Sequence, residues 1–129
     1  MHATLRVGGK VSGASPAYNV EEMTYALQKA DAKFLMTHPD SLEVAVEAAQ
    51  KAGVKKENVF LLEGEKAGFK TVKQLIEEGK KLEEVPVWTI PKGKTNGDVC
   101  GFLSFSSGTT GLPKAVRTPP SNLPSEALY

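Results

Sequence analysis

Residues 103–114 read Leu-Ser-Phe-Ser-Ser-Gly-Thr-Thr-Gly-Leu-Pro-Lys, and no other segment concentrates so many groups able to handle an anion. Gly108 and Gly111 allow unusual dihedrals and close backbone approach to a ligand. Consecutive backbone N–H groups in such a stretch can form an anion-binding nest. The hydroxyls of Ser106, Ser107, Thr109 and Thr110 donate further hydrogen bonds to phosphate oxygens. Lys114 adds a mobile positive charge, and Pro113 stiffens the chain just before it. Together these residue types suit a polyphosphate. The segment is not a Walker-type loop, which needs Gly-Lys-Ser/Thr leading into a helix. Here two residues separate Gly111 from Lys114, and Ala115-Val116 follow. The bland alternative is a Gly/Thr-rich turn between two strands.

The surrounding elements must position this loop. Residues 99–105 (VCGFLSF) form an apolar run that reads as a buried strand leading into it. Residues 33–37 (KFLMT) and 59–62 (VFLL) read as two more strands. Continuous apolar runs suit strands buried on both faces of a parallel sheet. Three helices alternate with them. The first starts at Asn19, with Glu22 in capping-box position and Met23, Tyr25, Ala26, Leu27 and Ala30 behind it. The second opens at Asp40, buries Leu42, Ala45, Val46 and Ala49, and stops at Gly53. The third opens at Thr71 with Gln74 in capping-box spacing, presents Val72, Leu75 and Ile76, and ends at Gly79. This alternation predicts an α/β fold of βαβ units with a mostly parallel sheet. Residues 83–98 read as a loop with an extended piece near Val87-Trp88-Thr89, and 117–129 as an irregular tail.

Composition bounds the function. The chain has 129 residues, enough for one ordinary α/β domain and not two. Apolar residues make up 40% and charged residues 24%, which excludes disorder as the default. The net charge of +1 gives no reason to expect a nucleic-acid partner. The pairs Lys55-Lys56 and Lys80-Lys81 read as solvated surface. The single Cys100 is expected to pack as a small hydrophobe, and a lone cysteine favours a reducing compartment. No segment has the length of a membrane helix. His2 and His38 are isolated, so no metal site is expected from them, and Glu63-Gly64-Glu65 reads as a turn. Trp88 and Phe102 read as packing residues.

Ser106-Ser107-Gly108-Thr109-Thr110-Gly111-Leu112-Pro113-Lys114 resembles the signature loop of the adenylate-forming superfamily. That group includes acyl-CoA synthetases, coumarate–CoA ligases, firefly luciferase and the adenylation domains of peptide synthetases. Residues 8–18 (GGKVSGASPAY) resemble a stretch of coumarate–CoA ligase-like enzymes, with Ser15 where Asn is more usual. Val20-Glu21-Glu22-Met23 resembles the helix start that follows it. The resemblance implies a partial AMP-binding large domain over residues 1–116 and a divergent tail over 117–129. It also implies the two-step activation of a small carboxylic acid: ATP gives an acyl-adenylate and pyrophosphate, then coenzyme A displaces AMP. It assigns Ser106, Ser107, Gly108, Thr109, Thr110, Gly111 and Lys114 to the ATP phosphates, with Mg²⁺ as helper. No catalytic residue is assigned.

Departures from the family pattern are part of the reading. Pro120 stands where the family has a His that shapes the acyl pocket. The adenine-pocket stretch Tyr-Gly-x-Thr-Glu, the ribose-binding Asp, the hinge and the small domain with its catalytic Lys are not found. The chain is therefore expected to be a fragment, inactive alone, of an enzyme in the cytoplasm or peroxisome. The alternatives are a non-catalytic nucleotide- or phosphate-binding module and a truncated product without function.

Overall fold

The computed structural model describes residues 2–106 and 114–119. In chain order these form α1 (His2–Arg6), β1 (Val11–Ser12), α2 (Val20–Lys29), β2 (Leu35–Thr37), α3 (Leu42–Ala52), β3 (Val59–Leu61), α4 (Val72–Gly79), β4 (Phe102–Ser106) and β5 (Lys114–Thr118). Three 3-10 turns, Pro39–Ser41, Lys56–Asn58 and Asn96–Asp98, separate some of them. The chain sorts into two compact units, Ser15–Glu83 and a second made of Met1–Ala14 with Glu84–Tyr129. Among the described residues no helix is long and apolar enough to cross a membrane.

In Ser15–Glu83 the helices begin where their caps dictate. The Asn19 side chain accepts from the Glu22 amide at 2.9 Å, and the Glu22 carboxylate accepts from the Asn19 amide at 3.0 Å. Two of the orphan donors at the helix start are thus satisfied. Thr71 and Gln74 make the same reciprocal pair, at 3.2 and 2.8 Å, ahead of α4. α2 buries Met23, Ala26 and Leu27, and α3 buries Leu42, Ala45, Ala48 and Ala49, both at helical spacing. The alanines of α3 let α2 approach closely, so Ala48 clusters with Met23 and Leu27. α3 ends at Gly53, whose φ of 80° is the left-handed conformation that glycine adopts without strain.

β2 and β3 pair in parallel, Leu35 with Val59 and Thr37 with Leu61, across α3, which makes a βαβ unit. Leu42, Ala49, Val54, Val59 and Leu61 form the core beneath the helix. The α/β character and the parallel pairing of the sequence reading stand, but three details differ. Asp40 does not cap α3. Pro39 fixes a tight 3-10 turn first, His38 Nδ1 accepts the Asp40 amide at 3.3 Å, and Ser41 becomes the helix cap without a side-chain bond. β2 starts at Leu35 and is not buried on both faces: Met36 is 49% exposed, and Phe34 just before the strand is 64% exposed. The apolar stripe of α4 is not buried either, with Ile76 55% exposed.

The other unit has a three-stranded sheet in the order β1-β4-β5. β1 runs parallel to β4, with Val11 opposite Phe102, and β5 runs antiparallel to it. Strand order thus continues through Thr118, past the point where an irregular tail was expected. β4 starts at Phe102 and not at Val99, because Thr95 and Asp98 close a 3-10 turn over Asn96–Asp98 just upstream.

Candidate phosphate-binding hairpin

Five rungs tie β4 to β5: Phe102–Thr118, Leu103–Arg117, Ser104–Val116, Phe105–Ala115 and Ser106–Lys114. The last rung sets the site. Ser106 ends β4, Lys114 opens β5, and they face each other across the ladder, so the first hydroxyl residue and the lysine stand at the two mouths of one loop. Paired residues of an antiparallel ladder have Cα atoms about 4.5–5.5 Å apart. Ser107, Gly108, Thr109, Thr110 and Gly111 lie outside the described residues. Of the residues assigned to phosphate, the structure therefore brings Ser106 and Lys114 together.

Alternation along a strand puts Lys114, Val116 and Thr118 on one face of the hairpin with Ser104, and Ala115 and Arg117 on the other. Lys114 and Arg117 are both exposed. Residues 99–125 contain no Asp or Glu, so the hairpin and its flanks carry only positive charge. The preceding acid, Asp98, is turned to a local task. Its carboxylate accepts from the Thr95 amide and the Thr95 hydroxyl, both at 2.8 Å. Those bonds, the amide's first, hold its pKa below the ordinary 3.8, and the charge of Lys94 adds to them. Arg117 is the residue that the sequence reading missed by assigning it to the tail. The run Lys-Ala-Val-Arg-Thr does not alternate polar and apolar residues, so it carried no period-two signal of a strand.

β4 is held on its other edge by β1: the Val11 amide donates to Gly101 O at 2.9 Å and the Ser12 hydroxyl to Leu103 O at 3.3 Å. At the base of the hairpin, Gly97, Asp98, Val99, Cys100, Arg117 and Pro119 line a cavity of about 350 Å³. Cys100 is buried, and its thiol donates to Phe102 O at 3.3 Å, as a packed small hydrophobe would. Among the described residues no group of three His, Cys, Asp or Glu could hold a metal ion. His38 makes a surface contact instead, with Nε2 2.8 Å from the Glu63 carboxylate.

A model of the AMP-binding enzyme family matches residues 1–128. The chain belongs to the AMP-binding enzyme family. An acyl-CoA synthetase of Alternaria alternata, ACTT5, is 33% identical over 113 residues, covering 84% of this chain and 19% of the relative. The acyl-CoA ligase sidI of Aspergillus fumigatus is 29% identical over 140 residues, covering 98% of this chain and 23% of the relative. The chain thus spans about a fifth of the length of the curated relatives it matches. Among solved structures, the anthranilate CoA ligase AuaEII in complex with anthranoyl-AMP superposes with a TM-score of 0.67. It is 21% identical, and the match covers 88% of this chain and 21% of that one. The luciferase-like enzyme from the Zophobas morio mealworm gives 0.63 at 24% identity, covering 87% and 25%. These likenesses establish that the fold is that of adenylate-forming enzymes.

Proposed function

We propose that this chain supplies the phosphate-gripping hairpin of an ATP-dependent acyl-CoA ligase and is inactive alone. The observation that carries the reading is the Ser106–Lys114 rung, which closes a glycine- and hydroxyl-rich loop on an acid-free hairpin. Membership of the AMP-binding family and the acyl-CoA synthetase relatives support it. In the whole enzyme a small carboxylic acid attacks the α-phosphate of ATP, pyrophosphate leaves, and the thiol of coenzyme A then displaces AMP to form a thioester. In-line chemistry of this kind depends on positioning and charge neutralisation.

The chain's own part is to hold the pyrophosphate end. Ser106, Ser107, Gly108, Thr109, Thr110 and Gly111 supply hydroxyl and backbone donors, and Lys114 supplies a charge fixed at the end of a ladder. Mg²⁺, when bound, spreads the phosphate charge further. The hydroxyls, backbone amides and lysine assigned to the loop are hydrogen-bond donors and a positive charge, a set that suits phosphate oxygens. Calorimetric titration of the 129-residue chain with pyrophosphate and with ATP tests the reading. Heat with both, at an affinity roughly tenfold weaker in Lys114→Ala, is the expected result. Silence with both would sink the binding assignment, and acyl-CoA formation by the chain alone would sink the claim that it is inactive.

A further inference from the structure

The hairpin depends on a clamp at the far edge of its sheet. A two-stranded hairpin alone is marginal in water, and a third strand is what makes it stable. For β4 and β5 the third strand is β1, which is two residues long and too short to hold its own position. It is aimed by the turn that ends α1. There the Gly9 amide donates to Thr4 O at 2.8 Å and the Gly8 amide to Leu5 O at 2.9 Å. Gly8 takes a φ of 76°, which completes a Schellman motif.

Trp88 closes over this turn. A Cβ placed on Gly8 would lie 2.6 Å from Trp88 Cγ and 2.7 Å from Cδ1, so the indole rests on the bare glycine backbone. The Trp88 amide donates to Arg6 O at 2.8 Å. Four residues upstream, Glu84 pairs with the Arg6 guanidinium at 2.6 Å. The segment from Glu84 to Trp88 therefore grips the last residue of α1 at two points and the following turn at a third. Nothing in the phosphate reading uses these residues.

We propose that Trp88 is a positioning residue for the phosphate-binding hairpin, acting through Gly8 and β1. The inference rests on the proposed function for what the hairpin holds, but the clamp itself is tested without ligand. Its first test is hydrogen exchange on the full chain. Trp88→Ala is expected to speed exchange of the β4 and β5 amides about tenfold while the α2 and α3 amides keep wild-type rates. Trp88→Phe, which keeps a ring over Gly8, restores most of that protection.

A double-mutant cycle isolates the contact. Gly8→Ala speeds β4 and β5 exchange less in the Trp88→Ala background than in wild type, because the ring that its methyl would meet is gone. Unchanged β4 and β5 exchange in Trp88→Ala, or an equal Gly8→Ala effect in both backgrounds, overturns the proposal. So does a pyrophosphate affinity identical in wild type and Trp88→Ala. A wild-type chain that binds no pyrophosphate removes the phosphate reading instead, and the exchange measurements still decide the clamp.

Discussion

Ser15–Glu83 and the unit that carries the hairpin are ordered by different means. Of the buried hydrophobic residues among those described, every one but Cys100 lies in Ser15–Glu83. There two capping boxes start the helices, and the α3 alanines and Leu61 fill the space beneath. The hairpin unit instead relies on main-chain ladders, a glycine turn and one indole. On the proposed reading Lys114 must reach a ligand, and it is exposed; a strand whose residues stay open to water cannot also fill a core. Burial stabilises Ser15–Glu83, and hydrogen-bond geometry sets the hairpin.

The contrast is most easily broken by Leu61→Ala. Leu61 is fully buried, and its truncation is expected to cost about 2–5 kcal/mol. Far-UV circular dichroism in denaturant follows α2–α4, whereas Trp88, the sole tryptophan, reports on the other unit. The helix midpoint should fall and the Trp88 emission midpoint should move less. Equal shifts would show that both parts unfold as one and would erase the distinction.

Lys114→Ala sharpens the contrast from the other side. Loss of a charged donor at a phosphate should weaken pyrophosphate binding roughly tenfold. Since Lys114 is exposed, unfolding stability should stay within about 0.5 kcal/mol of wild type. A large loss of stability would mean that the hairpin lysine serves the fold. Asn19→Ala removes the α2 cap and should cost about 1 kcal/mol, read in the helix signal and not in Trp88 emission.

The smallest effect is a pH dependence. Hydrogen bonds from Thr95 lower the Asp98 pKa on folding, so its contribution is present above the ordinary 3.8 and is lost as pH falls through the lower folded value. Exchange of the amides around Asn96–Asp98 should quicken over that acid range. Asp98→Asn should flatten the profile, and an unchanged profile would remove Asp98 as its cause.

What was legible in the sequence follows the same division. Asn19, Thr71 and Gly53 act locally, within a turn of their helix ends, so spacing alone located α2, α4 and the end of α3. Pro39 also acts locally, but it competes with Asp40 for the start of α3, and a capping pattern alone does not say which wins. β1 could not be read from two residues, since its existence depends on β4, ninety-one positions away at the Ser12–Leu103 contact. Trp88 was legible as a packing residue, but its partner is a glycine, which leaves no apolar signal to match. The loop was the plainest feature of the sequence, because it concentrates glycines, hydroxyls and a lysine; its residues 107–113 lie outside the described residues, so its assignment to phosphate stands as our proposal.

The Ser106–Lys114 rung has a consequence for the entropy of binding. The seven residues 107–113 run between two Cα positions held at the separation of one ladder pair. Closing a chain segment costs about (3/2)RT ln n plus a constant, whatever brings its ends together. Here the ladder meets that cost during folding, so on the proposed reading a bound phosphate would not have to bring Ser106 and Lys114 together. On that reading, unzipping the top rung returns the closure cost to the ligand and weakens its affinity.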